Sequence, residues 1–190
     1  MRTVSLDDKY ALEDGQIFLS GVQSIVRLAL DQKRRDRRAG LNTAGYISGY
    51  RGSPLGGLDT SLWQAAKTLA AHDIHFEPGL NEELAATAVS GTQQAELFGS
   101  RFDGVFAIWY AKNPGVDRAM DALKHANAVG ASARGGVLAI SGDDPGATSS
   151  SLPNQCEQAF IAASIPTLSP SNLAEIIEFG QIGFAMSRYS

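Results

Sequence analysis

Cysteine is nearly missing from this chain, which has Cys156 alone, and histidine is scarce, with only His72, His75 and His125. One thiol makes no internal disulfide and by itself holds neither zinc nor an iron-sulfur cluster, so a reducing, cytoplasmic setting fits best. His72 and His75 have no carboxylate or cysteine at metal-ligand spacing and read as surface or strand-end residues, and no metal centre is expected within the chain. A basic excess is missing as well. With a formal net charge of -4, the chain is not built to neutralise phosphates, and nucleic acid is set aside as a partner. Long apolar runs are absent, so no membrane span is expected. Residues 1–13 carry Asp7, Asp8, Lys9 and Glu13 where a signal peptide would need an unbroken apolar core. Neither repeats nor a low-complexity linker interrupt the sequence.

What remains is the make-up of one soluble globular domain: 190 residues, 44% hydrophobic and 19% charged. From about residue 20, short apolar runs alternate with amphipathic stretches, the pattern of βα units on a parallel sheet. Ser20 is placed to cap a helix whose apolar positions Val22, Ile25, Val26 and Ala29 recur at three- and four-residue spacing. Its last turn, Lys33, Arg34, Arg35, Asp36, Arg37 and Arg38, reads as a solvated cationic helix end that Gly40 closes. Strands are expected at 43–50, 75–79, 104–110, 136–141 and briefly near Thr167. Helices are expected at 59–71, 81–98 with Asn81 as cap, 117–132, around 155–163, and 172–189. The last of these stops at Ser190 without a capping glycine or polar tail, which reads as truncation inside a larger protein.

In open parallel sheets ligands sit beyond the carboxyl ends of the strands. Residues 51–59, 111–118 and 142–155 are therefore where chemistry is expected. Familiar signatures fail there: residues 49–57 lack the Lys-Ser/Thr end of a P-loop and the spacing of a dinucleotide fingerprint, and no nucleophile-elbow serine is present. Cys156, between Gln155 and Glu157, reads as a small helix residue. The pair Glu82-Glu83 separates by helical phase. With Asn81 opening a helix, Glu83 shares its face with Thr87, Ser90 and Gln94, and Glu82 shares its face with Ala86 and Val89. Glu83 is the solvent residue. Glu82 points toward an apolar surface at a helix start, where burial favours its neutral form and the helix N-terminus favours its anion, so it is poised to share a proton.

The segment Asn81-Glu82-Glu83-Leu84-Ala85-Ala86-Thr87-Ala88-Val89-Ser90-Gly91 resembles the Asn-Glu helix start in the pyrimidine-binding domains of thiamine diphosphate enzymes. Gly49-Tyr50-Arg51-Gly52-Ser53-Pro54-Leu55-Gly56-Gly57-Leu58-Asp59, Tyr110-Ala111-Lys112-Asn113-Pro114-Gly115-Val116-Asp117-Arg118, and Gly142-Asp143-Asp144-Pro145-Gly146 through Ser149-Ser150 are similar to the N-terminal region of indolepyruvate ferredoxin oxidoreductases, in their long single-chain bacterial form. Together the resemblance covers nearly all of residues 15–190. It implies an α/β pyrimidine-type thiamine diphosphate-binding domain spanning 1–190, a parallel sheet flanked by helices. It implies a share in the oxidative decarboxylation of an aryl, indolepyruvate-like 2-oxoacid, with ferredoxin as electron acceptor.

On this resemblance Glu82 is the catalytic residue, hydrogen-bonded to the pyrimidine ring nitrogen, and Gly79 and Asn81 complete the cofactor-binding set. Ser53-Pro54 stands where related oxidoreductases have a Thr-Pro turn whose hydroxyl approaches the substrate carboxylate; serine departs from that pattern but keeps the hydroxyl. Arg51 can offer that carboxylate a bidentate contact or lie on the surface. Lys112 and Asn113 end a buried strand at the same edge and either line the pocket or cap a turn. His125 is a more remote titratable group, and Asp143-Asp144 reads as a turn before Pro145-Gly146 rather than a metal pair. No Gly-Asp-Gly segment with a downstream Asn is found, so magnesium and the cofactor's diphosphate are expected to be held outside this chain, and the iron-sulfur clusters elsewhere in the full enzyme. The implied partners are the remaining domains or subunits, ferredoxin, coenzyme A and the 2-oxoacid, in a homodimeric full-length protein. Two alternatives stay open: the pyrimidine-binding domain of a non-redox decarboxylase or transketolase-like enzyme, and a non-catalytic α/β scaffold.

Overall fold

The computed structural model describes residues 5–189; Met1 to Val4, at the start of the N-terminal segment, and Ser190, where the terminal helical pattern stops, lie outside them. Four strands, β1 (Ala44–Gly49), β2 (Ile74–Phe76), β3 (Val105–Lys112) and β4 (Val137–Gly142), form one sheet in the order β2-β1-β3-β4. Every pairing is parallel, with Ile47 beside Ile108 and Ile108 beside Leu138. The helices are α1 (Asp8–Ala11), α2 (Gly21–Arg38), α3 (Leu58–Gln64), α4 (Ala66–Ala70), α5 (Glu82–Thr92), α6 (Asn113–Arg118), α7 (Met120–Val129), α8 (Glu157–Ala162) and α9 (Leu173–Tyr189). None is long and apolar enough to cross a membrane.

The central strand β3 shows how the layers arise. Its run Val-Phe-Ala-Ile-Trp-Tyr-Ala-Lys is buried almost throughout, as a strand covered on both faces requires. Phe106, Ile108 and Tyr110 point to one face, where they pack with α2, α3 and α9 through Val26, Leu28, Leu30, Leu58, Leu62 and Phe184. Ala107, Trp109 and Ala111 point to the other, against Ala85, Ala86 and Val89 of α5, Val116 of α6, Leu123 of α7 and Phe160 of α8. Small side chains on both β3 and α5 let that helix lie close on the sheet. The Trp109 indole N–H donates to the Glu82 carbonyl at 2.9 Å, which ties the start of α5 to the middle of β3. On the opposite face the Tyr110 hydroxyl donates to Asp59 at 2.6 Å, joining β3 to α3.

Local signals hold where they are local. Ser20 accepts from the Gln23 amide at 3.4 Å while Gln23 Oε1 accepts from Ser20 N at 3.0 Å, a full capping box. Asn81 Oδ1 accepts from the Leu84 amide at 2.9 Å and starts α5.

Several expectations need correction. The end of α2 is a solvated cationic face only in part: Arg35, Arg37 and Arg38 are exposed, but Lys33, Arg34 and Asp36 are buried. Lys33 donates to the Thr43 carbonyl and pairs with Asp73, Arg34 donates to the Tyr10 carbonyl and pairs with Asp31, and Asp36 receives Arg188. Burial there is possible because each charge meets a partner. The expected helix at 59–71 divides into α3 and α4, and α5 ends at Thr92, followed by a 3-10 turn (Ala95–Phe98) and Gly99 at φ 75°. The expected helix at 117–132 begins earlier, as α6, directly at the end of β3. Thr167 is in no strand.

Candidate functional site

Strand β2 lies on one side of β1, and β3 on the other, so the order reverses between β1 and β3. At such a switch point the two connections leave in opposite directions and open a crevice beyond the strands' carboxyl ends. A cavity of about 500 Å³ occupies that place, lined by Tyr50, Leu80, Asn81, Glu82, Pro114 and Arg118.

Glu82 is its carboxylate. The phase expectation is met: Ala85, Ala86 and Val89 are buried beneath α5, Glu83 is exposed, and the Glu82 side chain retains 15% of its accessible surface. Neither Glu82 oxygen has a hydrogen bond from the described residues within the usual range; the nearest charge is Arg118, whose Nε lies 3.7 Å from Oε2. Gly79 brings the entering loop against the sheet. Its amide donates to the Gly49 carbonyl at 2.8 Å, and a Cβ there would fall 2.7 Å from Ala85 Cβ and 2.8 Å from the Asn81 carbonyl oxygen. Asn81 both caps α5 and lines the cavity.

The other expected site residues gather at the same sheet edge but are not among the cavity's lining residues. Residues 51–57 cross over the ends of β3 and β4: a Cβ on Gly52 would meet Lys112 Cβ at 2.8 Å, and one on Gly142 would meet Pro54 at 2.7 Å. Arg51 and Ser53 are exposed on this loop, and the Ser53-Pro54 peptide is cis. Lys112 Nζ donates to the Ser149 carbonyl at 2.8 Å and its hydroxyl at 3.1 Å, and lies 3.6 Å from Asp144. Asn113 is 2% exposed, yet neither its amide nitrogen nor its amide oxygen has a hydrogen-bond partner among the described residues. A buried amide left this way costs on the order of 1–3 kcal/mol unless something else meets it. His125 is exposed and pairs with Asp121 on α7.

Beyond β4 the Asp-Pro-Gly turn closes as expected, with the Ala147 amide donating to the Asp144 carbonyl at 3.0 Å. The Asp144 carboxylate organises the loop by accepting from the Thr148 and Ser149 amides at 2.8 and 2.9 Å and from the Ser150 hydroxyl at 2.8 Å. The Ser149 amide first, then the Ser150 hydroxyl, hold this carboxyl below the usual range. Asp143 and the adjacent pair Cys156-Glu157, 13 residues further along, come within 4.8 Å of one another through their ligating atoms. Asp143 Oδ2 accepts from the Cys156 amide at 3.1 Å and its thiol at 3.4 Å. Burial, assisted by Asp143, pushes that thiol from 9.0 up to about 12.

This thiol yields a prediction. At pH 8 the thiolate fraction is lower by roughly 10³-fold than for an ordinary cysteine, so iodoacetamide should label Cys156 only slowly until the protein unfolds. The raised value also acts on stability. Because the unfolded thiol ionises near 9.0 and the folded one near 12, its contribution is complete below pH 9 and disappears as pH rises toward 12. Mass spectrometry of the labelled protein tests this; rapid labelling of the native state at pH 8 would contradict it.

Tyr50, Leu80, Pro114 and Arg118 were not singled out by sequence as cavity residues. The usable signal was Pro114, since proline near a helix's first position marks a start. A helix begun at Asn113 puts Gly115 and Arg118 three residues apart on one face.

Against known proteins, no family model matches the chain. It is similar to the protein named indolepyruvate oxidoreductase subunit IorA in three organisms. Identity is 27% over 172 residues in Methanothermobacter marburgensis, covering 90% of this chain and 24% of the relative. In Archaeoglobus fulgidus it is 29% over 176 residues, covering 92% and 25%, and in Methanothermobacter thermautotrophicus 25% over 177 residues, covering 93% and 25%. The chain thus spans about a quarter of the length of the curated relatives it matches.

Proposed function

Starting from the chain's kinship with the indolepyruvate oxidoreductase subunits, we propose that it is the pyrimidine-facing domain of a thiamine diphosphate-dependent 2-oxoacid oxidoreductase. The observation that carries this reading is Glu82, a mostly buried carboxylate with no hydrogen bond from the described residues, set in the wall of the switch-point cavity. A flat, nitrogen-bearing ring suits such a lining: Tyr50, Leu80 and Pro114 supply apolar or aromatic surface, and Glu82, with Asn81 and Arg118 beside it, supplies the polar contacts. When bound, thiamine diphosphate supplies an acidic ring carbon and the electron sink for loss of carbon dioxide from a 2-oxoacid.

Glu82 would hold a shared proton against the ring nitrogen and so raise the basicity of the amino group beside it. Asn81 fixes the first turn from which Glu82 projects, and Gly79 lets the loop approach β1 closely enough for both to reach the cavity. Asn113 is assigned to the substrate side, but its unpartnered amide is enclosed at the start of α6, so a ligand reaches it only when the side chains covering it move. Arg51 and the Ser53 hydroxyl are assigned to the substrate's carboxylate, with Lys112 joining them once it releases Ser149. Magnesium and diphosphate contacts, iron-sulfur clusters, and the docking of ferredoxin and coenzyme A are assigned to the remaining domains or subunits, in a cytoplasmic homodimer acting on an indolepyruvate-like aryl substrate.

The complete enzyme, given magnesium, thiamine diphosphate, coenzyme A and an aryl 2-oxoacid, should reduce ferredoxin or a viologen dye and stop when thiamine diphosphate is withheld. Carbon dioxide release without dye reduction would replace the redox reading by the non-redox one, and no dependence on thiamine diphosphate would remove both. Within the active enzyme, Ser53→Ala should raise KM for the oxoacid about tenfold, the usual worth of a hydrogen bond to a charged group, with thiamine diphosphate affinity nearly unchanged. Unaltered steady-state kinetics would move carboxylate recognition away from this loop.

A further inference from the structure

Helix α6 touches Glu82 at two points. The strand β3 runs straight into α6 without a loop, and Val116 and Ala119 anchor the segment in the core, so α6 has little freedom to shift. On the face turned toward α5 are Gly115 and Arg118. A Cβ on Gly115 would lie 2.5 Å from Glu82 Cγ, 2.9 Å from Glu82 Oε1 and 2.8 Å from Ala111 Cβ, distances that real contacts do not show. The missing side chain is therefore the space that the Glu82 side chain occupies. Arg118 faces the other oxygen, Oε2, at 3.7 Å. That separation exceeds a hydrogen bond, so the guanidinium acts as a neighbouring charge rather than as a bidentate clamp.

We propose that α6 is the positioning element for Glu82: Gly115 is the seat against which the carboxyl rests, and Arg118 is the charge that keeps it turned into the cavity. The proposal rests on the reading of Glu82 as the pyrimidine-facing carboxylate. It gives Gly115 a role that its backbone does not ask for, since Gly115 lies within a helix and needs no left-handed conformation. It also gives Arg118, whose side chain is 58% exposed, a reason to be arginine or lysine.

The test uses the complete enzyme and two readouts that do not depend on turnover: calorimetric affinity for thiamine diphosphate, and deuterium exchange at the cofactor's reactive ring carbon. Gly115→Ala is combined with Ala111→Gly, which removes the clash with Ala111 and leaves the one with Glu82; Ala111→Gly alone is the control. A displaced carboxyl should weaken cofactor binding and slow exchange by on the order of 100-fold relative to the control, as an ångström-scale misplacement does. Arg118→Gln should slow exchange roughly three- to fivefold, the worth of an exposed charge pair, and Arg118→Lys should restore most of it, because a point charge suffices at this distance. The exposed Arg118 series decides the matter even where the glycine variant does not fold. Wild-type affinity and exchange in these variants, beside a slow Glu82→Gln, would overturn the positioning role alone. Normal exchange in Glu82→Gln would overturn both the positioning role and the reading it rests on.

Discussion

Glu82→Gln in the complete enzyme should slow deuterium exchange at the cofactor's reactive ring carbon by about 100-fold or more, whereas Glu83→Gln should leave it nearly unchanged. The two residues are adjacent and chemically identical, so the contrast isolates position. Glu82 lies over Ala86 and Val89 at the cavity wall, while Glu83 is exposed on the face of α5 that carries Thr87. Glutamine keeps the size and much of the hydrogen-bonding capacity of glutamate but cannot share a proton, and loss of a positioned acid-base group costs about 10²- to 10⁴-fold. Neither substitution enlarges or empties the core, so folding is not the variable. Exchange followed by NMR after an acid quench reads the step without ferredoxin or an oxoacid. A larger defect in Glu83→Gln would mean that α5 presents its other face to the cofactor.

Removing Asp36 should damage the fold severely. Its carboxylate is 2% exposed and accepts from Gln32 at 2.8 Å, from the Thr43 hydroxyl at 2.7 Å, and from both terminal nitrogens of Arg188 at 2.7 and 2.8 Å. Arg188 in turn donates from Nε to the Gly135 carbonyl at 2.8 Å, and Ser187 Oγ accepts from the first amide of β4 at 2.9 Å. This group of contacts fastens α9 to α2 and to the start of β4. Asp36→Ala leaves a half-buried guanidinium, a buried hydroxyl and a buried amide without their acceptor. Breaking such a pair from one side costs about 3–5 kcal/mol, against a total of roughly 5–15 kcal/mol for a domain. Urea unfolding monitored by circular dichroism measures it. A loss below about 1 kcal/mol, the scale of an exposed pair, would mean that α9 is held by Phe184 and its apolar neighbours alone.

Asp36 also illustrates what sequence could not convey. Caps and helical phase were legible because they depend on neighbours within one turn: Ser20 with Gln23, Asn81 with Leu84, and Glu82 separated from Glu83 by 100° of rotation. The same local logic misjudged the end of α2, where six charged or polar residues in a row suggested solvent. Lys33 is buried by Thr43 and Asp73, Arg34 by Tyr10 and Asp36 by Arg188, partners 10, 40, 24 and 152 residues away. Nothing in the local pattern announces them.

The candidate site divides in the same way. The strands' carboxyl ends were legible as the place for chemistry from the alternation of strands and helices, and one helix's phase set Glu82 apart from Glu83, but the choice of Glu82 as the site's carboxylate came from the resemblance to thiamine diphosphate enzymes. Arg118 and Gly115 were not legible, because the next helix was expected only from residue 117, with Lys112 and Asn113 lining the pocket or capping a turn, whereas the chain passes from β3 directly into α6 at Asn113. The approach of Asp143 to Cys156 across 13 residues was likewise invisible, since it depends on how the loop after β4 folds back.

The central claim, that Glu82 faces the cofactor's pyrimidine nitrogen, is tested most directly by a cycle that changes the residue and the atom together. Calorimetry would compare thiamine diphosphate with an analogue in which that single ring nitrogen is replaced by carbon, each against the wild-type enzyme and Glu82→Gln. If the two groups touch, the effects are not additive: the analogue should bind the wild type about tenfold or more weakly, and Glu82→Gln should discriminate much less, a coupling of about 1 kcal/mol or more. An equal loss of affinity for the analogue in both proteins would show that Glu82 does not contact the nitrogen, and would contradict the account.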